Sequence, residues 1–394
     1  MERGSVMNSI QPTDRIQQLD IIRGLSLLGI LIVNMISFHS PFMYYNPYDW
    51  FQYEDLTFYT WIDLLLQGSV YPIFAMLFGY GMALMYQNSL KNNRSYYKIS
   101  IRRLIALMVF GMIHAFFIWA GDILIIYATM GLLLLIFMKL SGKLLMRLGV
   151  VLYFIPQLLL SGTIVLSFYL SGGTLADFDD ILSLQQSKLI YSTGSFWEIT
   201  TQRYYDWTIN YGFLNMFVFI FTILPLMMIG AGAAKRKWIE EAAINKKRYL
   251  MLTLICLPLG ILLKYIPFYV DLSISIQYVQ DALGGPILGF GYVALIVLLT
   301  NYPMSQKLFR PIALIGRMSL TMYIMQSLIC SIIFYHYGFG LYGEISMKTA
   351  TLLAVCIFII QVVLADIWLR KFKQGPLEWI WRKMTYGRKK YPNN

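Results

Sequence analysis

Residues 103–127 read R-L-I-A-L-M-V-F-G-M-I-H-A-F-F-I-W-A-G-D-I-L-I-I-Y. The run is almost entirely apolar, yet it carries His114 in its interior, followed by Trp119, Gly121 and Asp122. Hydrocarbon cannot satisfy backbone polar groups, so a continuous apolar run of this kind crosses lipid as a helix. An ionisable side chain inside such a helix is costly, and one that is kept there marks a function or a buried partner. The stretch therefore decides the fold class and makes His114 the first residue to test. It does not name a substrate.

Apolar runs of about 20 residues recur on both sides of it. The chain has 394 residues, 58% hydrophobic and 13% charged, with a mean hydropathy of +0.59. A soluble domain has about a quarter of its residues charged. The composition is that of an all-α polytopic membrane protein. The net charge of +12 does not point to nucleic acid, because Lys and Arg stand in short clusters between apolar runs, the positive-inside pattern. No small-residue cleavage site follows the first apolar run, so no cleaved leader is expected. Cys256, Cys330 and Cys356 lie within expected spans and lack metal-ligand spacing; neither a disulfide nor a metal is expected. No P-loop, dinucleotide fingerprint, H-E-x-x-H or nucleophile elbow is present, which argues against ATPase, dehydrogenase, zinc protease and serine hydrolase chemistry.

In chain order, a polar leader (1–18) precedes a transmembrane domain (19–370) and a cytoplasmic amphipathic tail (371–394). About ten helices are expected. They cover 19–38, 59–86 with a break near Tyr71-Pro72, the His114 span, a return span after a tight turn at Gly121-Asp122, 148–170, a span ending at Lys235, and 249–270, 284–299, 318–335 and 349–368. Under this alternation every basic cluster falls on one side, from Lys91–Arg103 to Arg370–Lys373. The acidic connections (39–58, 171–207 with Asp177, Asp179 and Asp180, and the loop of Asp271 and Asp281) fall on the other. Both termini are then cytoplasmic, in a bacterial plasma membrane. No internal repeat is visible, so the inverted-repeat signature of many transporters is missing.

The polar residues within the spans are the candidates for chemistry. Asp20, Arg23 and Asn34 share one stripe of the first helix, given about 100° per residue. Asp20 and Arg23 can pair as i, i+3. That pair either staples the membrane edge or presents Arg23 to an anionic group such as a phosphate. In the third helix, Arg103, His114 and Gly121 share a face, with Asp122 about a quarter turn away at the interface. His114 is either a neutral histidine bonded to a neighbouring helix or a general base or proton carrier; a helix bend would let Asp122 orient it. Trp119 reads as an interfacial anchor next to the site. In the ninth helix Ser319, Tyr323 and Gln326 share a face, either for bonds between helices or as the polar wall of a cavity, and Arg317 stands at its cytoplasmic start. His39 and His336 read as interfacial. The tail G-P-L-E-W-I-W-R-K-M reads as an interfacial amphipathic helix.

L-D-I-I-R-G-L-S-L-L-G-I-L-I-V-N in the first span, I-H-A-F-F-I-W-A-G-D-I-L in the third, G-R-M-S-L-T-M-Y-I-M-Q-S-L-I-C in the ninth and Q-G-P-L-E-W-I-W-R in the tail resemble the YeiB-like bacterial membrane proteins, in that family's order. The first-span motif is also similar to that of the heparan-α-glucosaminide N-acetyltransferase family, within a transmembrane acyltransferase superfamily. The resemblance implies transfer of an acyl group from cytoplasmic acyl-CoA to a hydroxyl or amine acceptor, a sugar or lipid-like molecule, at the outer face. Its expected partners are membrane lipids and a small-molecule acceptor, with a second copy in a homodimer and no nucleic acid.

On that reading His114 deprotonates the acceptor and Asp122 supports it. Arg23 and Arg317 hold the phosphates of CoA, and Tyr323 or Gln326 polarises the thioester carbonyl. Asp20, Asn34, Trp119 and Ser319 complete the binding set. The alternative is a proton-coupled transporter of a small metabolite or lipid, with His114 and Asp122 as its relay.

Overall fold

The computed structural model describes residues 16–173 and 179–387. Most of the polar leader, Asp177 and the last residues of the tail lie outside the described residues. The described chain folds as α1 (Gln17–His39), α2 (Tyr53–Leu65), α3 (Val70–Lys91), α4 (Tyr96–Phe117), α5 (Leu124–Phe137), α6 (Gly142–Leu170), α7 (Ile181–Thr193), α8 (Phe196–Tyr211) and α9 (Phe213–Lys235). It continues as α10 (Lys246–Lys264), α11 (Ile274–Val279), α12 (Gly285–Leu299), α13 (Arg310–Arg317), α14 (Ser319–Phe334), α15 (Met347–Lys371) and α16 (Pro376–Tyr386), with five further short helical turns.

Eight of the described helical stretches are long and apolar enough to cross a bilayer, and α13 with α14, bent by 86°, makes a ninth if the two are one span. The expected tenth is α5. Its 14 residues make about 21 Å of helix, short of the ~30 Å of hydrocarbon. The break in the second span comes at Leu66–Ser69, before Val70, and not at Tyr71-Pro72. Pro72 sits in the first turn of α3, where its missing N–H breaks no helical bond. Asp281, expected in a loop, lies inside the span Ile274–Leu299, in a five-residue π turn (Gln280–Gly284) joining α11 to α12.

Small residues set the closest helix crossings. A Cβ on Gly79 of α3 would fall 1.9 Å from the Met227 carbonyl oxygen of α9, and one on Gly230 of α9 would fall 1.9 Å from that of Met76. The two backbones touch, as helices do in lipid, where close van der Waals packing replaces the hydrophobic drive. At one end of the bundle basic residues meet backbone carbonyls: Lys235 Nζ reaches Met138 O and Leu140 O at 2.6 and 2.7 Å. At the other end α7, α8 and the loops after α1 and α14 form a cap rich in tyrosine and aspartate. There Gly343 N–H donates to His39 O at 2.7 Å, and His336 N–H to Tyr191 O at 2.9 Å. These are called the basic and acidic ends below.

Candidate functional site

α4 stops where the chain must turn back. The amides of Ile118 and Trp119 both reach the carbonyl of His114, at 3.0 and 2.8 Å, and the stretch 118–123 leaves helical geometry. Gly121 is therefore off the helix and shares no face with Arg103. The reversal carries Asp122 back against His114, with Nδ1 2.8 Å from Oδ1. The other carboxylate oxygen accepts the Ile125 N–H at 2.8 Å, at the start of α5. Both side chains are fully buried within the protein. Gly111, one turn before His114, leaves the room: a Cβ there would meet Ile125 N at 2.8 Å and Asp122 Oδ2 at 3.0 Å.

A carboxylate accepts hydrogen bonds and cannot donate, so beside an ionised Asp122 the neutral ring carries its proton on Nδ1 and presents the lone pair of Nε2. Nε2 is buried and meets no hydrogen-bond partner among the described residues. An imidazole oriented from one side, with its second nitrogen unpartnered, has the arrangement of a general base, although His114 is closed off in this structure. Two aromatic rings stand over it, Tyr323 at 5.0 Å and Trp119 at 6.3 Å between centroids. Tyr323 donates its hydroxyl to Gly121 O at 3.3 Å. Trp119 is buried against Phe38, rings 4.1 Å apart, and is not the exposed anchor its sequence position implied.

Trp119, Gly121 and Tyr323 also line a cavity of about 600 Å³ that opens at the acidic end, together with Asn34. Seven tyrosines line it (44, 71, 191, 211, 323, 335 and 342), with Asp206 and Asp281 and without Lys, Arg or His. Asp206 comes from α8. Its Oδ1 accepts from Tyr44 Oη at 2.6 Å and Gln202 Nε2 at 2.7 Å, and its Oδ2 from Tyr191 Oη at 2.7 Å. Burial holds this carboxyl above the usual carboxylate range, although the three donors pull the other way. Asp281 is ion-paired with the buried Lys264, whose Nζ also lies 3.4 Å from Asp63 Oδ1 and 3.1 Å from Gln67 O. Asp63 Oδ2 takes Tyr48 Oη and Gln280 Nε2, both at 2.6 Å.

The other expected site residues lie elsewhere. Arg23 pairs with Asp20 at 3.1 Å, and Arg317 donates to Lys373 O at 3.3 Å. Neither lines the cavity, and neither does Ser319. Gln326 donates to Gln361 Oε1 on α15 at 2.8 Å, so it serves helix association; Tyr323 on the same face lines the cavity and Gln326 does not. At the basic end Arg103 stacks over Trp381 of α16 at 4.1 Å and stands within electrostatic reach of Arg23 and Arg382. The Trp381 indole donates to Arg103 O at 2.8 Å.

Sequence reasoning missed Gly111, Asp206, the Lys264 triad and Arg203. Lys264 carried a signal, as a lone lysine at the far end of an apolar span, paired in space with an acid two elements away. Arg203 is fully buried on α8 and donates to Phe117 O at 3.1 Å and Tyr337 Oη at 2.6 Å. It thus ties the acidic-end cap to the last turn of α4, three residues after His114. Its mixed polar surroundings in sequence gave no hint of burial.

Residues 15–180 match a family described as heparan-alpha-glucosaminide N-acetyltransferase, catalytic. Residues 233–388 match a protein of unknown function, DUF418. The uncharacterized protein YxaH of Bacillus subtilis is 34% identical across 96% of this chain and 97% of its own length. The uncharacterized protein YeiB of Escherichia coli is 30% identical across 93% and 95%. An uncharacterized 39.9 kDa protein from Bacillus acidopullulyticus is 27% identical across 97% of each. The His114–Asp122 pair falls inside the first match; Tyr323 and Trp381 fall inside the second.

Proposed function

This chain belongs to the YeiB-like family of multi-pass membrane proteins and is acyltransferase-like over its N-terminal part, and we propose that it transfers an acyl group from cytoplasmic acyl-CoA to a hydroxyl or amine acceptor at the outer face of the bacterial plasma membrane. The observation that carries this reading is the buried His114–Asp122 pair with Nε2 unpartnered, set between a basic end and an acidic cavity. The positive-inside pattern puts the basic end in the cytoplasm. Arg23, Arg103 and Arg382 form a cationic cluster suited to the phosphates of CoA, and Arg317 adds to that end.

The acceptor occupies the cavity lined by Asn34, Trp119 and Tyr323. His114 is buried behind Trp119 and Tyr323 and does not itself line the cavity, so the reaction requires these rings to move aside; the acceptor's O–H or N–H then gives its proton to His114 Nε2 as the oxygen or nitrogen bonds to the acyl carbon. The carbon–sulfur bond then breaks, and the leaving thiolate takes the proton from the imidazolium. Asp122 stabilises that imidazolium and holds the ring. The ring of Tyr323 stands 5.0 Å from the imidazole, and on this reading its hydroxyl turns from Gly121 O to donate to the developing oxyanion.

The test is release of free CoA thiol from acetyl-CoA and longer acyl-CoAs in proteoliposomes, with a thermal titration by the same ligands, since a ligand that binds the folded state raises its stability. Full transfer by His114→Ala would overturn the mechanism. One observation favours the competing reading of proton-coupled transport: the charged triad Asp63–Lys264–Asp281 lies at the cavity wall. Proton-coupled uptake lost in His114→Gln, without thiol release, would establish transport instead.

A further inference from the structure

We propose that the cavity admits its ligand sideways from the lipid, and that this ligand is a single-chain or lipid-anchored amphiphile whose head group bears an ammonium. The inference rests on the cavity being the acceptor site, as proposed above. The electrostatic part is direct. Four carboxylates surround the cavity or its walls: Asp206 and Asp281 in the lining, Asp63 behind Asp281, and Asp122 behind Trp119 and Tyr323. Two buried cations stand behind the same walls: Lys264, shared between Asp63 and Asp281, and Arg203, 5.2 Å from the ring of Tyr335. The charged side chains that reach the lining itself are the two carboxylates, and carboxylates outnumber cations around it; a concave site of that balance concentrates cations, and a phosphate or carboxylate head would enter against that field. The tyrosine faces add quadrupoles that attract a cation.

The route follows from which lining residues reach the outside. Met43 and Val218 are the lining residues whose side chains are exposed, 37% and 45%. Val218 belongs to the first turn of the apolar span Asn215–Lys235, so on our proposal the mouth between the Phe42–Tyr44 turn and α9 faces the edge of the bilayer. Phe213, Phe217 and Phe221 flank it on α9 and are also exposed. A water-borne ligand needs no such rim; an alkyl chain does. The head then lies among Asp206, Tyr191 and Tyr335, and the chain leaves past Val218 into the leaflet at the acidic end.

The test uses three photoreactive dodecyl probes that differ only in head group (primary ammonium, phosphate and maltoside), with the full chain in phosphatidylcholine nanodiscs and no acyl-CoA present. The ammonium probe is expected to label 42–44 and 213–222 saturably, at least about tenfold more tightly than the phosphate probe. Val218→Trp, which fills the mouth from an exposed position, should abolish the labelling, and Asp206→Asn should weaken it. Equal or tighter labelling by the phosphate or maltoside probe would overturn the proposal. So would labelling unchanged by Val218→Trp, or competition by ethanolamine as effective as that by dodecylammonium. Because the readout is binding without donor, a failure of acyl transfer appears only as absent thiol release and leaves this result to stand or fall alone.

Discussion

Nδ1 of His114 and Oδ1 of Asp122 are 2.8 Å apart and sealed from solvent, although the helix that carries His114 has ended before Asp122 begins. The pair fixes the imidazole tautomer. In Asp122→Asn the amide can turn its NH₂ toward Nδ1, which moves the ring proton to Nε2 and removes the base. Thiol release should fall about 10³-fold or more, as is typical when the orienting carboxylate of a catalytic histidine becomes an amide. Thermal stability should change little, since one buried hydrogen bond replaces another. Near-normal turnover in Asp122→Asn would remove Asp122 from the mechanism.

Gly111 provides a second, steric test of the same pair. The added methyl of Gly111→Ala presses on Ile125 N and Asp122 Oδ2, at 2.8 and 3.0 Å. Overpacking of this kind costs about 1–3 kcal/mol. It should push Asp122 off His114, so activity should fall more steeply than stability. Measuring both on one preparation separates the cases: loss of folded protein in proportion to loss of activity would mean that Gly111 is only a packing residue.

The sequence was most legible where chemistry and hydropathy conflict. His114 stood out as an imidazole in hydrocarbon, and the helical class followed from the apolar runs alone. Asp122 was legible as a candidate but not in its position, because helical periodicity assumes a helix, and the turn at 118–123 obeys backbone geometry instead. Asp206 and Arg203 stayed hidden for a different reason. They lie in a polar segment whose burial depends on tertiary contact with Tyr44, Tyr337 and the end of α4, and no local pattern encodes that. The Asp20–Arg23 couple was legible from its i, i+3 spacing, whereas Gln326 was read by type, and its partner Gln361 decides what it does in this fold.

Glu378 closes the gap left by the 86° bend before α14. Its Oε1 accepts the amides of Leu320 and Thr321 at 2.8 and 3.1 Å, and its Oε2 accepts the Thr321 hydroxyl at 2.5 Å. α14 has no side-chain cap from its own preceding residue; the tail supplies one. Glu378→Ala should cost about 1–2 kcal/mol and free α16 for proteolysis. Burial holds the Glu378 carboxyl above the usual carboxylate range, although Thr321 and Leu320 pull it down. Between the unfolded and folded values the folded state thus binds more protons. Its contribution is full below the usual carboxylate range and is lost as pH rises through the raised value. Glu378→Gln should flatten that fall in melting temperature; an unchanged slope would mean another group causes it.

Lys264 is the residue whose removal should damage the fold most. Its ammonium is fully buried between Asp63 and Asp281, and truncating one partner of a buried ion pair leaves uncompensated charge, at about 3–5 kcal/mol. Asp63 keeps Tyr48 and Gln280 as donors, whereas Asp281 faces the cavity wall with its main partner gone. Lys264→Met alone should therefore lower the melting temperature in detergent strongly, and adding Asp281→Leu should restore much of the loss, because the second change removes the orphaned charge. Asp63→Leu should rescue less, since it also strands the hydroxyl of Tyr48 and the amide of Gln280. If neither second change rescues Lys264→Met, the lysine acts through packing of its long side chain between α10 and the π turn, and the triad is not the electrostatic unit its distances describe.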